Sequence, residues 1–427
     1  MRDMSLTLDG PMTVTPLPDP RLPVPRPASL ACIDELVARL GPDRVLRDPK
    51  RCEEASRDHY WLSPVLRDAV PEDALADVVV RPFDEAELAV VLAVAHEHQV
   101  AVTPRGKGTG NYAQAVPLAR GIVLDCTPLD GVIDVSEGWI TARAGTSFTR
   151  LEAAARATGQ ELAMFPSTTG STLAGFLSGG AGGTGSIENG WIWDGFVDSL
   201  SLLPCWDVPE PVDIEGAEVG THLHAYGTTG VITAARVRLV PARRWTAVFA
   251  SFSTIDDAAA AGMSILECTP RPRNLSIDDE RLSTVLHAHP AMPAGRVSLR
   301  AIVSESVVPA VRRAVLGAGG ALEGVLPDAT SLCVSLSYNH VTLRAKRVDP
   351  SVCHVQIQGS ASVERYRDVR HAMPNGMVHL DAYSRERRAH LRFYQVATRW
   401  LTPFFQSDHR LLGLVRDAFM GIGSRLP

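Results

Sequence analysis

Residues 103–118 read TPRGKGTGNYAQAVPL, with Gly106, Gly108 and Gly110 on alternate positions beside Arg105 and Lys107. Glycine reaches backbone conformations closed to other residues and lets a ligand approach the main chain. Successive N–H groups of such a loop can turn inward as a nest for an anion. Two familiar phosphate loops are excluded. A P-loop carries Ser or Thr directly after its Gly-Lys, whereas Lys107 is followed by Gly108. A dinucleotide fingerprint opens a helix inside the motif, whereas residues 112–118 contain Pro117 and no helical periodicity. The loop is expected to hold phosphate with main-chain N–H groups and a cation, Arg105 or Lys107, without a helix dipole.

The flanking pattern makes this loop the end of a β-α-β unit. DVVVRP, from residue 77, reads as a short buried strand, and Asp84 with Glu87 resembles a capping box for a helix with Leu88, Val91, Leu92 and Ala95 on one face. Residues 100–103 return as a strand that delivers the loop, and GIVLD at 121–125 is another. Residues 132–135 and 139–143 alternate like an antiparallel pair, Ser147 caps a helix that stops at Gly159, and 161–165 is a strand ended by Pro166.

A second glycine block, STTGSTLAGFLSGGAGGTGSIENG, occupies residues 167–190. It is too polar and small-sided to be core. It reads either as a linker or as a close-fitting wall, and the strand expected at 196–203, which resumes directly after it, favours the wall. A third cluster places Gly227 and Gly230 before an alternating strand at 231–240. Three such clusters on one frame point to one long ligand touched at several places by backbone.

At 427 residues the chain has room for two or three domains. Its net charge of -6 argues against a nucleic-acid partner. The seven cysteines are widely spaced without a CxxC pair, which fits reduced thiols and a cytoplasmic setting. No apolar run approaches the length of a membrane span, so no membrane partner is expected. The expected organisation is a disordered proline-rich tail at 1–27 rather than a signal peptide, a helical segment at 28–70, a first domain at 71–241, a second at 242–383 and a helical segment at 384–427 packing back on the first. Within the helical segment, 52–66 reads as a cap over a pocket or as ordinary surface packing. In the second domain, strands at 245–252, 274–277, 297–303, 331–337 and 354–358 alternate with helices near 254–267, 278–286, 306–316 and 361–371. That order predicts helices on one face of an antiparallel sheet.

The three glycine blocks, in this order and spacing, resemble the FAD-binding domain of the vanillyl-alcohol oxidase and p-cresol methylhydroxylase (PCMH-type) superfamily of FAD-linked oxidases, over roughly residues 71–241. PRGKGTG is similar to its pyrophosphate loop, TLAGFLSGGAGGTGSIENG to its segment along the flavin, and YGTTGVIT to its G..G.IT segment. The resemblance implies an α+β fold: a PCMH-type FAD-binding domain of two α/β subdomains, plus an α+β cap domain that seats the substrate. YNHVTLRAKRVDP at 338–350 is similar to an NHTTL stretch in a bacterial branch. Covalent relatives carry a histidine where Thr109 stands, or a cysteine in the second block, where this chain has none between Cys126 and Cys205. Non-covalent FAD is therefore implied. The usual Asp-Asn-Val after that block is replaced by Gly195, Phe196 and Val197, which is expected to alter pairing at the start of the next strand.

By the same resemblance the diphosphate falls to Pro104, Arg105, Gly106, Lys107, Gly108, Thr109, Gly110 and Asn111. The isoalloxazine wall falls to Pro166, Gly170, Ser171, Thr172, Ala174, Gly175, Gly179, Gly182, Gly183, Gly185 and Ser186, and the adenosine half to Gly227, Gly230 and Ile232. Flavin carries the redox chemistry, so the protein must place a C–H over N5 and accept or polarise an O–H. His340 is the candidate base, read at a strand end with Tyr338 and Asn339 as orienting groups; a structural histidine is the competing reading. His379 and Tyr383 share a face of an extended segment as pocket candidates, and Arg344 is either an anion-binding group or an exposed helical arginine. His222 and His224 would share a strand face but lack a third metal ligand nearby, so no metal is expected. No Gly-x-Ser-x-Gly or HExxH occurs.

The activity implied is an FAD-dependent oxidase acting on a small alcohol, phenol, hydroxy acid or secondary-metabolite intermediate, with oxygen as the acceptor. A dehydrogenase using another electron acceptor and a non-catalytic flavin-binding protein are the alternatives. Neither the substrate nor the oligomeric state is readable from these residues.

Overall fold

A computed structural model of the chain describes residues 27–60, 64–206, 208–287, 289–352 and 377–382. The tail at 1–26, the elements expected at 354–358, 361–371 and 384–427, and Tyr383 lie outside the described residues.

Three sheets make the frame. Helix α1 (Leu30–Leu40) starts where Ser29 Oγ accepts the Cys32 N–H, and Gly41 follows its last turn with φ 87°. Strand β1 (Val45–Leu46), helices α2 (Pro49–Ala55) and α3 (Pro64–Ala69), strand β2 (Val78–Val80), helix α4 (Glu85–Glu97) and strands β3 (Val102–Arg105) and β4 (Ile122–Asp125) follow. The sheet runs β1-β2-β4-β3, with β2, β4 and β3 parallel and β1 antiparallel at one edge. At the start of α4, Asp84 accepts from the Glu87 N–H while Glu87 accepts from Phe83 N–H, so the cap is reciprocal but reaches one residue further out than expected. The helix buries Leu88, Val91, Leu92 and Ala95 against the sheet. The glycine loop leaves the carboxyl end of β3, the side where parallel sheets present ligand sites.

The second sheet comes from β5 (Val132–Ser136), β6 (Trp139–Arg143), helix α5 (Phe148–Ala157), β7 (Gln160–Leu162), helices α6 (Leu173–Gly179) and α7 (Ser186–Asn189), β8 (Val197–Leu203), β9 (Val212–Glu215), helix α8 (Val219–His222) and β10 (Val231–Pro241). Its order is β5-β6-β10-β8-β9, and β7 also pairs with β10. The second glycine block is thus partly helical, because Leu173, Phe176 and Leu177 bury one side of α6. The altered segment before β8 is a π-turn, Ile192–Phe196, in which Gly195 takes φ 83°. Such a turn absorbs an extra residue, and the β10–β8 register shifts between Arg236 and Val237, opposite the start of β8. His222 ends α8 and His224 sits in a left-handed turn at φ 55°. Their expected common strand face does not form.

The third sheet is built from β11 (Trp245–Phe252), helix α9 (Ile255–Leu266), β12 (Asn274–Asp278), helix α10 (Glu280–Leu286), β13 (Val297–Ser304), helix α11 (Val308–Gly317), β14 (Ala321–Leu326), helices α12 (Thr330–Ser335) and α13 (Asn339–Val348), and β15 (His379–Asp381). The order is β14-β11-β13-β12-β15, antiparallel throughout. Two expectations are corrected. Helices cover both faces: Val248, Ala250 and Phe252 of β11 pack with α9 and α11, while Ala247 and Phe249 pack with α10, α12 and α13. Residues 331–337 form α12 and a turn rather than a strand. Short apolar runs such as LCVSL carry no period that separates the two. The adjoining β14, with Gly324 inside it, went unread.

One buried carboxylate joins the second and third sheets. Glu161 of β7 is 1% exposed and receives Arg156, Arg273 and the Trp245 Nε1–H. The Arg273 guanidinium also lies 4.8 Å from the Phe165 ring centre and 5.3 Å from that of Trp245. This grip holds the third sheet beside the second glycine block.

Candidate functional site

No backbone N–H of residues 106–111 donates to a partner among the described residues, while Gly110 O accepts from His59 N at 2.7 Å. The loop therefore presents a run of main-chain donors. Gly108 takes φ 62°, and a Cβ there would collide with the Arg105 guanidinium, which fills the space beneath the loop. Arg105 Nη1 donates to Ala55 O (2.9 Å) and Arg57 O (2.7 Å), and burial pulls its pKa down. Of the two candidate cations, Arg105 ties the N-terminal segment to the loop. Lys107 is the exposed one.

The three glycine blocks converge by close backbone approach. A Cβ on Gly106 would collide with Thr172 Oγ1, and one on Gly227 would lie 2.5 Å from Pro104 Cγ. Between them lies a cavity of about 320 Å³, lined by Pro104, Arg105, Gly106, Lys107, Gly108, Thr109, Gly110, Asn111, Pro166, Ser171, Thr172, Ala174, Gly175, Gly179, Gly182, Gly227, Gly230 and Ile232. That is within the size range of small-molecule clefts. Gly170, Gly183, Gly185 and Ser186 do not line it. Gly170 lies in an exposed turn. Side chains on Gly183 and Gly185 would strike the carbonyls of Phe165 and Ala163, and Ser186 Oγ accepts from Gly183 N and donates to Met164 Sδ. Gly183, Gly185 and Ser186 pack the block on the chain behind it.

At the other end the lining includes Tyr338, Asn339 and His340. They sit at the start of α13 and not at a strand end. Tyr338 takes φ 53°, rare for a large side chain, and its N–H donates to Asp381 Oδ2 at 2.8 Å. Asn339 meets Tyr112, which follows the glycine loop. His340 Nε2 is 3.0 Å from Thr168 Oγ1. Burial first, then the nearby Arg344 and His59, lower the His340 pKa, so the imidazole is neutral at pH 7. Arg344 itself reaches Ser335 Oγ at 3.4 Å and is not part of the lining.

A buried ionic chain holds this turn from behind. Arg300 and Asp278, both 0% exposed, pair at 2.6 Å. Arg300 Nη2 donates to Leu336 O at 2.9 Å, two residues before Tyr338. His379 Nδ1 bonds Asp278 Oδ1, and its Nε2 is 2.7 Å from the same Asp381 Oδ2 that receives Tyr338 N–H. Burial alone would lower the His379 pKa, but Asp381 and Asp278 outweigh it and raise it to about 9. Burial would raise Asp278, yet Arg300 and His379 hold it below the usual carboxylate range. His379 is thus a charged link in the sheet, away from the cavity wall where the sequence reading placed it.

Several lining residues were not assigned to the cavity from the sequence, His224 having been weighed only as a metal ligand. Asp58 lines the cavity from the segment after α2. Trp191, His224 and Tyr226 line it near the second block, with His224 Nδ1–H donating to Gly180 O and Tyr226 O–H to His224 Nε2, both at 2.8 Å. His224 and Tyr226 are both left-handed, and no periodicity marks such turns.

The cavity suits a long, partly anionic molecule. It has a donor-rich loop at one end and a wall of small residues along its side, and Ser171 Oγ is buried without a partner among the described residues. Buried hydroxyls are ordinarily hydrogen-bonded, so that oxygen calls for a polar atom from an occupant. Residues 76–203 match the family model described as FAD binding domain. Over that stretch the chain is similar to the PCMH-type FAD-linked oxidases. FAD is its cofactor. Among relatives, D-lactate dehydrogenase of Archaeoglobus fulgidus is 29% identical over 47% of this chain and 47% of its own length. Glycolate oxidase subunit GlcD of Bacillus subtilis is 25% identical over 50% and 48%, and mitochondrial D-2-hydroxyglutarate dehydrogenase of Bos taurus 34% over 31% and 23%. The chain spans about half the length, or less, of these relatives. Alkyldihydroxyacetonephosphate synthase shares the fold at TM-score 0.62 and 19% identity, over 75% of this chain and 67% of that one.

Proposed function

We propose that the protein is an FAD-dependent oxidoreductase that oxidises a small hydroxyl-bearing compound, with oxygen as the electron acceptor. The observation that carries the proposal is His340, held by Thr168 Oγ1 at 3.0 Å, in the same cavity as the phosphate-type loop. Bound FAD supplies the hydride acceptor. The N–H groups of 106–111 and the Lys107 ammonium hold the diphosphate, and Gly175, Gly179 and Gly182 give the flat ring a surface without side chains. At the α13 end, His340 Nε2, shared with Thr168 Oγ1, takes the proton of the substrate hydroxyl, and Tyr338 and Asn339 orient the substrate. A neutral imidazole can accept that proton; an imidazolium cannot.

The relatives named for D-lactate, glycolate and D-2-hydroxyglutarate favour 2-hydroxy acids within the wider range of alcohols and phenols. Their names also divide between oxidase and dehydrogenase, which keeps a dehydrogenase as the second reading. The free thiols Cys32, Cys52, Cys126 and Cys333 are buried, which fits a reducing, cytoplasmic setting. No described helix is long and apolar enough to cross a membrane. Anaerobic mixing with D-lactate, glycolate, D-2-hydroxyglutarate and simple aromatic alcohols should bleach the flavin with at least one. Stoichiometric peroxide in air identifies the oxidase, and turnover with a dye but without peroxide identifies the dehydrogenase. Flavin that no compound bleaches returns the protein to a non-catalytic binding role.

A further inference from the structure

Asp58 follows α2 and lines the cavity while only 4% exposed. Its Oδ1 accepts from Tyr60 N at 2.7 Å and the nearby Ala115 N–H also favours the carboxylate, but Oδ2 is buried with no partner at hydrogen-bond geometry among the described residues. A buried, unpaired carboxylate oxygen is costly, and native folds keep few of them. The segment around it is fixed on both sides. Arg105 Nη1 bonds the carbonyls of Ala55 and Arg57, and His59 N–H bonds Gly110 O. Asp58 is therefore anchored to the two ends of the glycine loop, Arg105 and Gly110.

The surroundings define what the free oxygen takes. A phosphate is excluded by like charge. A ligand cation is not required, because Arg105 already acts on Asp58 electrostatically while its Nη1 hydrogen bonds go to main-chain carbonyls. What remains is a neutral O–H donor within reach of the diphosphate loop. In FAD the groups flanking the diphosphate are the hydroxyls of the ribityl chain on one side and of the ribose on the other. We infer that Asp58 Oδ2 accepts a hydrogen bond from one of these hydroxyls, so that the N-terminal segment is part of the cofactor site. This rests on the cavity being where FAD binds.

The test compares the apo forms of the wild type and Asp58→Asn by flavin fluorescence titration with FAD and with FMN, and by calorimetric titration with ADP. Asn keeps the shape and the Oδ1 acceptor but replaces Oδ2 with a donor. The expected result is FAD affinity about 10- to 100-fold lower in the variant, the range for one hydrogen bond to an ionised group. A parallel loss for FMN, with ADP unchanged, assigns the ribityl chain; a parallel loss for ADP, with FMN unchanged, assigns the ribose. FAD affinity within twofold of the wild type overturns the inference while leaving the FAD site intact. A wild type that binds no FAD overturns the site reading itself. If the Asn variant does not fold, Asp58→Glu, which keeps the charge but displaces the oxygen, carries the same contrast.

Discussion

The two ends of the cavity are built by opposite means. At the glycine-loop end the lining is mostly main chain: donors from 106–111, a wall of small residues, and contacts between loops that only glycine permits. At the α13 end the lining is side chain, and its geometry depends on charges buried behind it, from Arg300 through Asp278 and His379 to Asp381. The first end tolerates side-chain variety and forbids bulk. The second tolerates little change in charge. On the proposed function, the cofactor is held mainly by backbone and the substrate by residues positioned at long range.

The predictions break this contrast from one side or the other. His340→Gln should lower turnover by about 10²- to 10⁴-fold, the usual contribution of a positioned acid or base, with FAD affinity unchanged; a matched loss of FAD would place His340 in the cofactor end. The pH profile of kcat/KM should carry an acid limb displaced below that of an ordinary histidine, since burial, then Arg344 and His59, lower the His340 pKa. The Gln variant should lack that acid limb. Arg300→Met leaves Asp278 buried and should cost about 3–5 kcal/mol in denaturant unfolding, as when one partner of a buried pair is removed. A loss under 1 kcal/mol would show that His379 alone balances Asp278.

Gly108→Val forces a β-branched residue to φ 62° above the Arg105 guanidinium, a strain of about 1–3 kcal/mol. The variant should lose FAD while thermal unfolding of the apo protein changes little by comparison. The smallest effect concerns His379. Its folded pKa of about 9 lies above the unfolded value of about 6.5. The native state therefore keeps a proton that the unfolded chain releases between those values. The resulting stability is full below about pH 6.5 and is lost as pH rises through about 9. His379→Gln should flatten that part of the stability curve, and an unchanged slope would remove the charged link.

The same contrast explains what could be read from the sequence. Glycine at Gly108 and Gly227 is demanded by a left-handed backbone and at Gly106 by the close approach of Thr172, so those blocks announce the loop end before any fold is known. The strands and the α4 cap followed from period and local hydrogen bonding. The bonds of Arg105 to Ala55 O and Arg57 O are not legible locally, because those carbonyls lie some fifty residues away. His379 was expected in the pocket because its alternation in the strand is legible, whereas its partner Asp278 is a hundred residues earlier. α12 was read as a strand for lack of a period, and Asp58 was hidden in a segment whose capping role was one of two readings.

The central claim is that the loop at 106–111 cradles the diphosphate of a non-covalent FAD. It is tested most directly by recording the absorbance of the purified wild type and Gly108→Val, then precipitating each with acid. The account predicts a flavin spectrum in the wild type, with all the flavin released as FAD into the acid supernatant, and a colourless Gly108→Val. Flavin retained with a normal spectrum by Gly108→Val, or flavin that stays on the acid-precipitated wild type, would contradict it.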